Sequence, residues 1–251
     1  MMGPDFVLSL ARGLKVIEAF SEAREGLSVS EVAGRTGLSR AATRRLLITL
    51  EALGYVQHQG STFDLTVRVL RLGFSFITSN SIAIAAPPVV EQLSAEICES
   101  CAVSLLDGGQ IVYVAHSAPK RVMSIDLGIG SRLPAYSTAM GRVLLAALPE
   151  AQFDVYLART DLQPLTPKTI RDRKPLAAAV RQARSQGYAL VDEELEVGLR
   201  EIAVPVESQT GRVVAAMGCG VNAARVSARE LVERILPYMS AHAKLLGRVL
   251  A

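Results

Sequence analysis

Residues 37–56, GLSRAATRRLLITLEALGYV, predict a helix that is leucine-rich on one side and positively charged on the other. With one step of about 100° per residue, the side chains separate into two sides. The apolar side comprises Ala42, Leu46, Thr49, Leu50 and Leu53, and the basic side comprises Arg40, Ala41, Arg44, Arg45 and Ile48. Like charges on neighbouring turns repel by roughly a few tenths of a kcal/mol per pair, so a one-sign side indicates an anionic partner. Nucleic-acid phosphate is the obvious anion, although an arginine-rich composition alone would also produce such a side.

The residues before this helix predict two shorter helices and a tight turn. Residues 9–20 form the first helix, with Leu10, Leu14 and Ile17 on its apolar side. Residues 28–37 carry a capping box of Ser28 and Glu31 and end at a glycine. Ser39 then caps the arginine-bearing helix. Two short helices joined by a glycine-containing turn, the second longer and basic, are typical of a helix-turn-helix. The residues expected near the bases and phosphates of a DNA major groove are Ser39, Arg40, Ala41, Arg44 and Arg45.

The segment after the recognition helix predicts a wing and then a linker. Residues 55–66, YVQHQGSTFDLT, contain two short strands around Gly60. Residues 66–81 predict an amphipathic helix whose apolar stripe cannot stand alone in water. We expect the stripe to form a dimer interface, because two helix-turn-helix units are needed to reach two half-sites on DNA. The residues assigned to dimerisation are Val67, Leu70, Phe74 and Ile77.

Length and composition narrow the class of protein. The chain has 251 residues, of which 50% are hydrophobic, so it can bury a substantial core. Its net charge of +3 indicates a local basic patch rather than a positively charged coat. The sequence shows neither a signal peptide nor an apolar run of about 20 residues, so we expect a cytoplasmic protein without membrane association.

From residue 82 onward the pattern changes to short strands and helices. Strands are predicted at 101–108, 110–118, 121–128, 187–192, 200–208 and 211–221, and helices at 87–98, 138–148, 174–186 and 227–250. The pair Pro87 and Pro88 is interpreted as a boundary. Hairpins segregated from helices indicate an α+β domain with a largely antiparallel sheet. The predicted organisation is a winged helix-turn-helix DNA-binding domain at 9–65, a linker helix at 66–81 and an effector-binding domain at 82–251.

No motif in the chain predicts an enzyme. Nucleophile elbows, Walker loops and HExxH are missing from the sequence, and GIGSRL lacks the third glycine of a dinucleotide-binding loop. Ser137 and Cys219 are possible nucleophiles, but neither has a histidine nearby in sequence. Cys98 and Cys101 form a lone CxxC without the further ligands of a zinc site, and we interpret them as small buried thiols. We therefore expect no catalytic residues, no metal and no cofactor.

One segment of the second domain predicts the start of a ligand pocket. Residues 131–148, SRLPAYSTAMGRVLLAAL, pass from an irregular stretch into a helix that Ser137 or Thr138 caps. Amides near Ala139 and Met140 would then be available to an anion. Simple helix capping explains the same pattern, because every helix needs such a start.

Five stretches of the chain resemble the IclR family of transcriptional regulators. They are SLARGLKVIEAF (9–20), LSVSEVAGRTGLSRAATRRLLITLEALGYV (27–56), SRLPAYSTAMGRVLLAALP (131–149), GYALVDEELEVGLREIAVPV (187–206) and GRVVAAMGCGV (211–221). The first three are most similar to the branch that regulates protocatechuate, p-hydroxybenzoate and β-ketoadipate catabolism. The resemblance implies a winged helix, a linker helix and a GAF-like effector domain, assembled as dimers or dimers of dimers. It also implies operator DNA and a small carboxylate effector as partners.

Carried over by motif, the resemblance implies an effector pocket built from several segments. Its residues are Ile125, Leu127, Ser137, Thr138, Ala139, Met140, Asp192, Gly218 and Gly220, with Arg121 and Tyr136 as further candidates. The two glycines lie on one side of a strand and leave room there. Family members that bind small keto-acids tend to have serine at both positions, so glycine disfavours such an effector.

We expect the effector to be a monocyclic aromatic acid such as p-hydroxybenzoate or protocatechuate. Its carboxylate would bind at the helix start at 137–140 or at Arg121. The ring would lie in the space left by the glycines, flanked by Ile125, Leu127 and Met140. Asp192 would accept a hydrogen bond from a ring hydroxyl, or would only cap a turn. The alternatives are a regulator of another pathway that senses an aliphatic keto-acid, and a DNA-binding protein without a small-molecule effector.

Overall fold

The computed structural model describes residues 5–21, 23, 25–119 and 127–250. The chain divides into two compact units, Met1–Phe76 and Ile77–Ala251. The elements of the first unit are α1 (Leu8–Glu18), β1 (Leu27–Ser28), α2 (Val29–Thr36), α3 (Arg40–Ala52), β2 (Val56–Gln59) and β3 (Thr62–Leu65). Its strands form an antiparallel sheet in the order β1-β3-β2.

The predicted helix-turn-helix is confirmed, and its helices end at the predicted caps. The Ser28 hydroxyl accepts a hydrogen bond from the Glu31 amide, and the Glu31 carboxylate accepts one from the Ser28 amide at 2.8 Å. Gly37 ends α2 with a φ of 68°, in the left-handed region that favours glycine. Ser39 caps α3 by accepting a hydrogen bond from the Ala42 amide at 3.3 Å.

The predicted wing is also confirmed. β2 and β3 pair antiparallel, with Gln59 opposite Thr62 and a two-residue turn between them. Gly60 adopts a φ of 62° in that turn, a conformation that is costly for most other residues.

The apolar sides predicted for α1 and α3 are partly wrong. Val16 and Leu47 are fully buried, whereas Leu10 and Leu14 on α1 and Leu53 after α3 are about half exposed or more. The exposed leucines line an open groove between the two helices. Both helices carry apolar residues on more than one side, and their spacing alone does not determine which side the tertiary contacts bury.

The predicted linker contains two helical elements. A 3₁₀ turn (Val67–Val69) precedes α4 (Leu70–Ser79). The exposed fractions of the predicted dimerisation residues are 85% for Val67, 72% for Leu70, 63% for Phe74 and 37% for Ile77. Among the described residues, no single helix is both long and apolar enough to cross a bilayer, and only the bent pair of Val67–Ser79 and Ser81–Ile97 meets those criteria jointly.

The next helix, α5 (Ser81–Ile97), runs through Pro87 and Pro88, so the boundary predicted at this pair is wrong. Asn80 caps α5 by accepting hydrogen bonds from the Ile82 and Ala83 amides at 3.0 and 3.1 Å. A proline inside a helix costs about 3 kcal/mol or more. Burial of an apolar side against the sheet offsets this cost, through Ile82, Ala86, Val90 and Leu93.

The second unit contains a six-stranded antiparallel sheet, which confirms the predicted α+β class. Its strands are β4 (Ser100–Asp107), β5 (Gln110–Ser117), β6 (Arg132–Pro134), β7 (Ala189–Asp192), β8 (Leu199–Glu207) and β9 (Val213–Asn222), in the order β6-β5-β4-β9-β8-β7. The remaining helices are α6 (Ala139–Ala146), α7 (Glu150–Arg159), α8 (Arg173–Gln186), α9 (Ala228–Glu230) and α10 (Leu236–Gly247), with a π turn (Leu231–Ile235) before α10. α7 and β6 were not predicted from the sequence, and most of the strand predicted at 121–128 lies outside the described residues.

Apolar cores lie on both faces of this sheet. α5 and α10 cover one face, where Ile202 is buried, and α6 and α8 cover the other, where Ala203 is buried. We call the second the α6 face. Cys101 and Cys219 are buried neighbours on the opposite face, whereas Cys98 is exposed at the end of α5, so its predicted burial is wrong.

Candidate functional site

The basic side of α3 is fully accessible in the first unit. Its predicted DNA-contacting residues are all exposed and start at the helix cap: Ser39, Arg40, Ala41, Arg44 and Arg45. Thr43 and Leu47 anchor the opposite side of the helix in the core. Among the described residues, no carboxylate lies within 4.0 Å of the three arginine side chains. The helix therefore presents uncompensated positive charge next to its positive N-terminal dipole end.

The start of α6 in the second unit is capped by Thr138. Its hydroxyl accepts a hydrogen bond from the Gly141 amide at 3.3 Å and donates one to the Pro134 carbonyl at 3.0 Å. The buried Ser137 hydroxyl donates to the same carbonyl at 3.5 Å. A Cβ at Gly141 would collide with the backbone of Ala135, so glycine lets α6 pack closely on the preceding 3₁₀ turn, Ala135–Ser137. These contacts hold the helix start against the sheet.

The sheet beneath α6 carries the two predicted glycines in adjacent rows of paired residues. Gly218 pairs with Ala102 and Ala203, and Gly220 pairs with Ser100 and Glu201. These side chains lie on the α6 face by strand alternation.

The space above Gly218 is filled by the side chain of Met140. A Cβ at residue 218 would lie 2.6 Å from Met140 Cγ, so the open slot predicted there is occupied by this thioether. The Ser104 hydroxyl donates a hydrogen bond to Met140 Sδ at 3.3 Å. Among the described residues, a Cβ at Gly220 would meet only Leu199 Cδ1, at 3.4 Å, so the second glycine does leave room.

Glu201 is the main site residue that sequence analysis missed. It is 6% exposed, and its Oε2 atom has no hydrogen-bond partner among the described residues. Burial raises the pKa of Glu201 to about 7, while the Ala139 amide and the Arg142 charge oppose this rise. An acid at an inward-facing position of a predicted apolar strand is the sequence signal that was available.

Polar side chains of β4 and β5 extend this site along the α6 face. Ser100 Oγ and His116 Nε2 lie 3.0 Å apart, and the rings of His116 and Tyr113 are 6.2 Å apart. Burial, together with the charge of Glu201, raises the pKa of Tyr113 well above its ordinary value. Tyr113 therefore keeps its proton and shares the electrostatic environment of Glu201.

A buried ion pair between Arg142 on α6 and Glu194 holds α6 in place. Arg142 donates to the Glu194 carboxylate at 2.5 Å and to the Tyr136 carbonyl at 3.2 Å. The same carboxylate oxygen accepts a hydrogen bond from the Ile170 amide at 3.2 Å. Both charged side chains are at most 10% exposed, so the pair is shielded from solvent. Its role is to position the helix start, since Glu194 already neutralises Arg142.

The structure does not bring Asp192 and Tyr136 to the polar side chains around Glu201. Asp192 pairs with Arg200 at 2.7 Å and with Lys168 at 2.9 Å, and the Lys168 hydrogen bond holds the pKa of Asp192 below its usual value. This arrangement favours the interpretation of Asp192 as a strand-end acid. The Tyr136 hydroxyl donates to the Gln163 carbonyl at 3.0 Å.

The loop between β5 and β6 contributes one described residue to the predicted pocket. Leu127 is half-buried against the core under α6. Arg121 and Ile125 lie outside the described residues.

Both units match known families. Residues 9–60 match the IclR helix-turn-helix domain, and residues 74–247 match the bacterial transcriptional regulator IclR C-terminal domain. The Pca regulon regulatory protein of Pseudomonas putida is 44% identical over 239 residues, covering 95% of this chain and 82% of that protein. The p-hydroxybenzoate hydroxylase transcriptional activator of Acinetobacter baylyi is 37% identical over 240 residues, covering 94% of this chain and 89% of that protein.

A solved structure is similar to the second unit. It is a double mutant of the PobR inducer-binding domain from Acinetobacter in complex with 3-hydroxybenzoic acid, with 30% identity and a TM-score of 0.64. The similarity covers 67% of this chain and 98% of that domain. The matched families and relatives are transcriptional regulators and not enzymes, as the sequence predicted. This chain belongs to the IclR family of bacterial transcriptional regulators.

Proposed function

We propose that this regulator binds operator DNA with the N-terminal half of α3 in the major groove. The observation that carries this proposal is the exposed surface of Ser39, Arg40, Ala41, Arg44 and Arg45, whose charges have no carboxylate partner among the described residues. In this arrangement residues 9–65 bind DNA, residues 66–81 link the domains and residues 82–251 bind the effector. The protein acts in the cytoplasm, where its operator lies.

The DNA-binding proposal is tested by fluorescence anisotropy with the DNA upstream of its own gene. We expect Arg44→Ala and Arg45→Ala each to lower the affinity by a factor of about 5 to 150, since one good base contact is worth about 1 to 3 kcal/mol. Arg181→Ala, at a 63% exposed arginine of α8, is the matched control and should bind like wild type. Wild-type affinity in both α3 variants would remove α3 as the recognition helix.

We propose that the protein works as a homodimer, and that two dimers can pair into a tetramer. The exposed stripe of Val67, Leu70, Phe74 and Ile77 supports a second copy as its cover, because water-exposed apolar stripes of this length are unfavourable. A twofold dimer would also place two recognition helices on half-sites about one DNA turn apart. A monomer mass from light scattering at micromolar concentration would contradict the proposal.

We infer that the effector is a monocyclic aromatic carboxylate bound on the α6 face. The pocket would include Leu127, Ser137, Thr138, Ala139, Met140, Gly218 and Gly220, with Arg121 and Ile125 from outside the described residues. Relatives named for the Pca regulon and for p-hydroxybenzoate hydroxylase, and a similar domain bound to 3-hydroxybenzoic acid, support this chemical class. The mixture of apolar side chains with Ser100, Tyr113 and Glu201 suits a ring that carries polar groups.

Calorimetry with five acids tests the effector class. The acids are p-hydroxybenzoate, protocatechuate, benzoate, β-ketoadipate and pyruvate. We expect binding by the hydroxylated aromatic acids, and heat from pyruvate or β-ketoadipate alone would support an aliphatic keto-acid instead. A thermal-shift screen separates both from a regulator without an effector, because a ligand at one hundred times its Kd stabilises a protein by about 2.7 kcal/mol.

A further inference from the structure

Glu201 is a buried carboxyl group that the described part of the chain leaves incompletely paired. Its Oε2 atom is inaccessible to solvent and has no hydrogen-bond partner among the described residues. Leaving a buried polar atom without a partner is unfavourable, and such atoms in native proteins usually have a functional explanation. A bound molecule that donates a hydrogen bond would remove this deficit.

The surroundings of Glu201 determine which end of a ligand can approach it. The Ala139 amide, at the start of α6, already favours the ionised Glu201 carboxyl. The neighbouring cation, Arg142, is neutralised by Glu194 at 2.5 Å. A ligand carboxylate in this corner would therefore meet a second carboxyl group, and the neighbouring cation that the structure describes is already paired. A hydroxyl group would instead supply the donor that Oε2 lacks.

The register of the sheet gives such a hydroxyl room to reach Glu201. Gly220 on β9 is paired with Glu201 on β8, and a Cβ at Gly220 would meet only Leu199 Cδ1, at 3.4 Å, within the described part of the chain. The other neighbour of Gly220, Ser100, also has a short side chain. Glycine at this row leaves the position of a Cβ atom free above the sheet, whereas Met140 covers the next row at Gly218.

Resting on the proposed aromatic-acid function, we propose that Glu201 selects hydroxylated effectors by accepting a hydrogen bond from the ring hydroxyl, with the carboxylate at the other end of the ring. Glu201 then discriminates against an unsubstituted ring, because benzoate would bury the Glu201 carboxylate without donating a hydrogen bond to it. The site recognises hydroxybenzoates as a class.

This orientation sets the sign of the pH dependence. The ionised form of Glu201 is the better acceptor, so binding releases a proton and tightens as the pH rises through about 7. Affinity should be about tenfold higher at pH 8 than at pH 6, in proportion to the ionised fraction. Other ionisable groups lie near Glu201. Arg142 and Glu194 form their own pair, and Tyr113 stays protonated. Cys219 lies on the opposite face of the sheet.

His116 is a further ionisable side chain on the α6 face, where its Nε2 atom lies 3.0 Å from Ser100 Oγ. The Glu201→Gln variant therefore isolates the contribution of Glu201 to the pH dependence of binding.

Calorimetry of the full-length protein with p-hydroxybenzoate and benzoate at pH 6, 7 and 8 tests the proposal. We expect wild type to prefer p-hydroxybenzoate at least 30-fold at pH 8 and to release protons on binding, measured in buffers of different ionisation enthalpy. Glu201→Gln should lose the proton release, and Glu201→Val should bind both acids within about threefold of each other. Circular dichroism and operator binding verify that both variants are folded.

The outcomes separate this proposal from the proposed function. Equal binding of both acids by wild type would overturn the role of Glu201 while leaving an aromatic effector in place. Proton uptake that Glu201→Gln abolishes, with affinity falling as the pH rises, would also overturn it, since Glu201 would then be donating to the carboxylate. No binding of either acid at any pH would overturn both.

Discussion

The side chain of Met140 lies directly over Gly218. A Cβ at residue 218 would lie 2.6 Å from Met140 Cγ and 2.8 Å from its Sδ, and the same sulfur accepts a hydrogen bond from Ser104 at 3.3 Å. The glycine thus makes room for a side chain of the protein. Methionine is unbranched and flexible, so it can rearrange when a ligand enters.

A methyl group at Gly218 should force Met140 out of this position. We expect Gly218→Ala to lower the free energy of unfolding by about 1 to 3 kcal/mol, as overpacking does in a filled core. Urea unfolding measures the change. Gly220→Ala is the control, because the one described atom that its Cβ would meet is Leu199 Cδ1 at 3.4 Å, and we expect a change within about 0.5 kcal/mol. Equal losses in both variants would show that the Met140 contact is not the cause.

Several features could be predicted from sequence because they depend on a few neighbouring residues. The Ser28 and Glu31 capping box forms within one helical turn, and Gly37 and Gly60 meet backbone requirements at single positions. Short β-rich runs bounded by turn signals were enough to predict most strands of the second unit. The antiparallel class followed from the short connections between them.

The site was harder to predict because it depends on strand pairing and on the helix above it. Asp192 and Glu201 lie in the same stretch of sequence, and only their contacts distinguish an ion-paired edge acid from a buried one. Met140 was placed beside the ring, but its position over Gly218 follows from how α6 packs on β9. Such relationships join residues that are far apart in sequence, so local spacing does not encode them.

Loss of Glu194 should destabilise the second unit strongly. Glu194→Gln would leave the Arg142 guanidinium buried without its counter-charge, which typically costs about 3 to 5 kcal/mol. Urea unfolding measures this loss. Glu233→Gln is the control, because its pair with Arg229 is exposed and should be worth about 1 kcal/mol or less. A small effect at Glu194 would mean that water or a rearranged partner compensates Arg142.

Glu201 should make the protein less stable as the pH rises from about 4.5 to about 7. Burial raises its pKa from 4.5 to about 7, so the folded state binds this proton more tightly than the unfolded chain does. The loss of stability caused by burying the ionised Glu201 carboxylate is absent below the unfolded pKa, grows between the two pKa values and is complete above the folded pKa. Its full size is on the order of 3 kcal/mol. Glu201→Gln should therefore exceed wild type in stability by about that amount at pH 8 and by less than about 1 kcal/mol at pH 5. An identical difference at both pH values, measured by urea unfolding, would contradict a raised pKa.

The salt dependence of operator binding should distinguish phosphate contacts from base contacts on α3. Each arginine that neutralises a phosphate releases a condensed counterion. Loss of such an arginine therefore reduces the magnitude of the negative slope of log affinity against log salt concentration by about one. We expect this change for Arg40→Ala, which lies in the first turn of α3 beside the helix cap Ser39. An arginine that reads a base should instead relax the preference for one base pair by about 1 to 3 kcal/mol. Binding of Arg40→Ala, Arg44→Ala and Arg45→Ala at a series of salt concentrations, to the operator and to a scrambled duplex, measures both quantities. Three variants with the wild-type slope and the wild-type preference for the operator would show that the positive side of α3 does not face DNA.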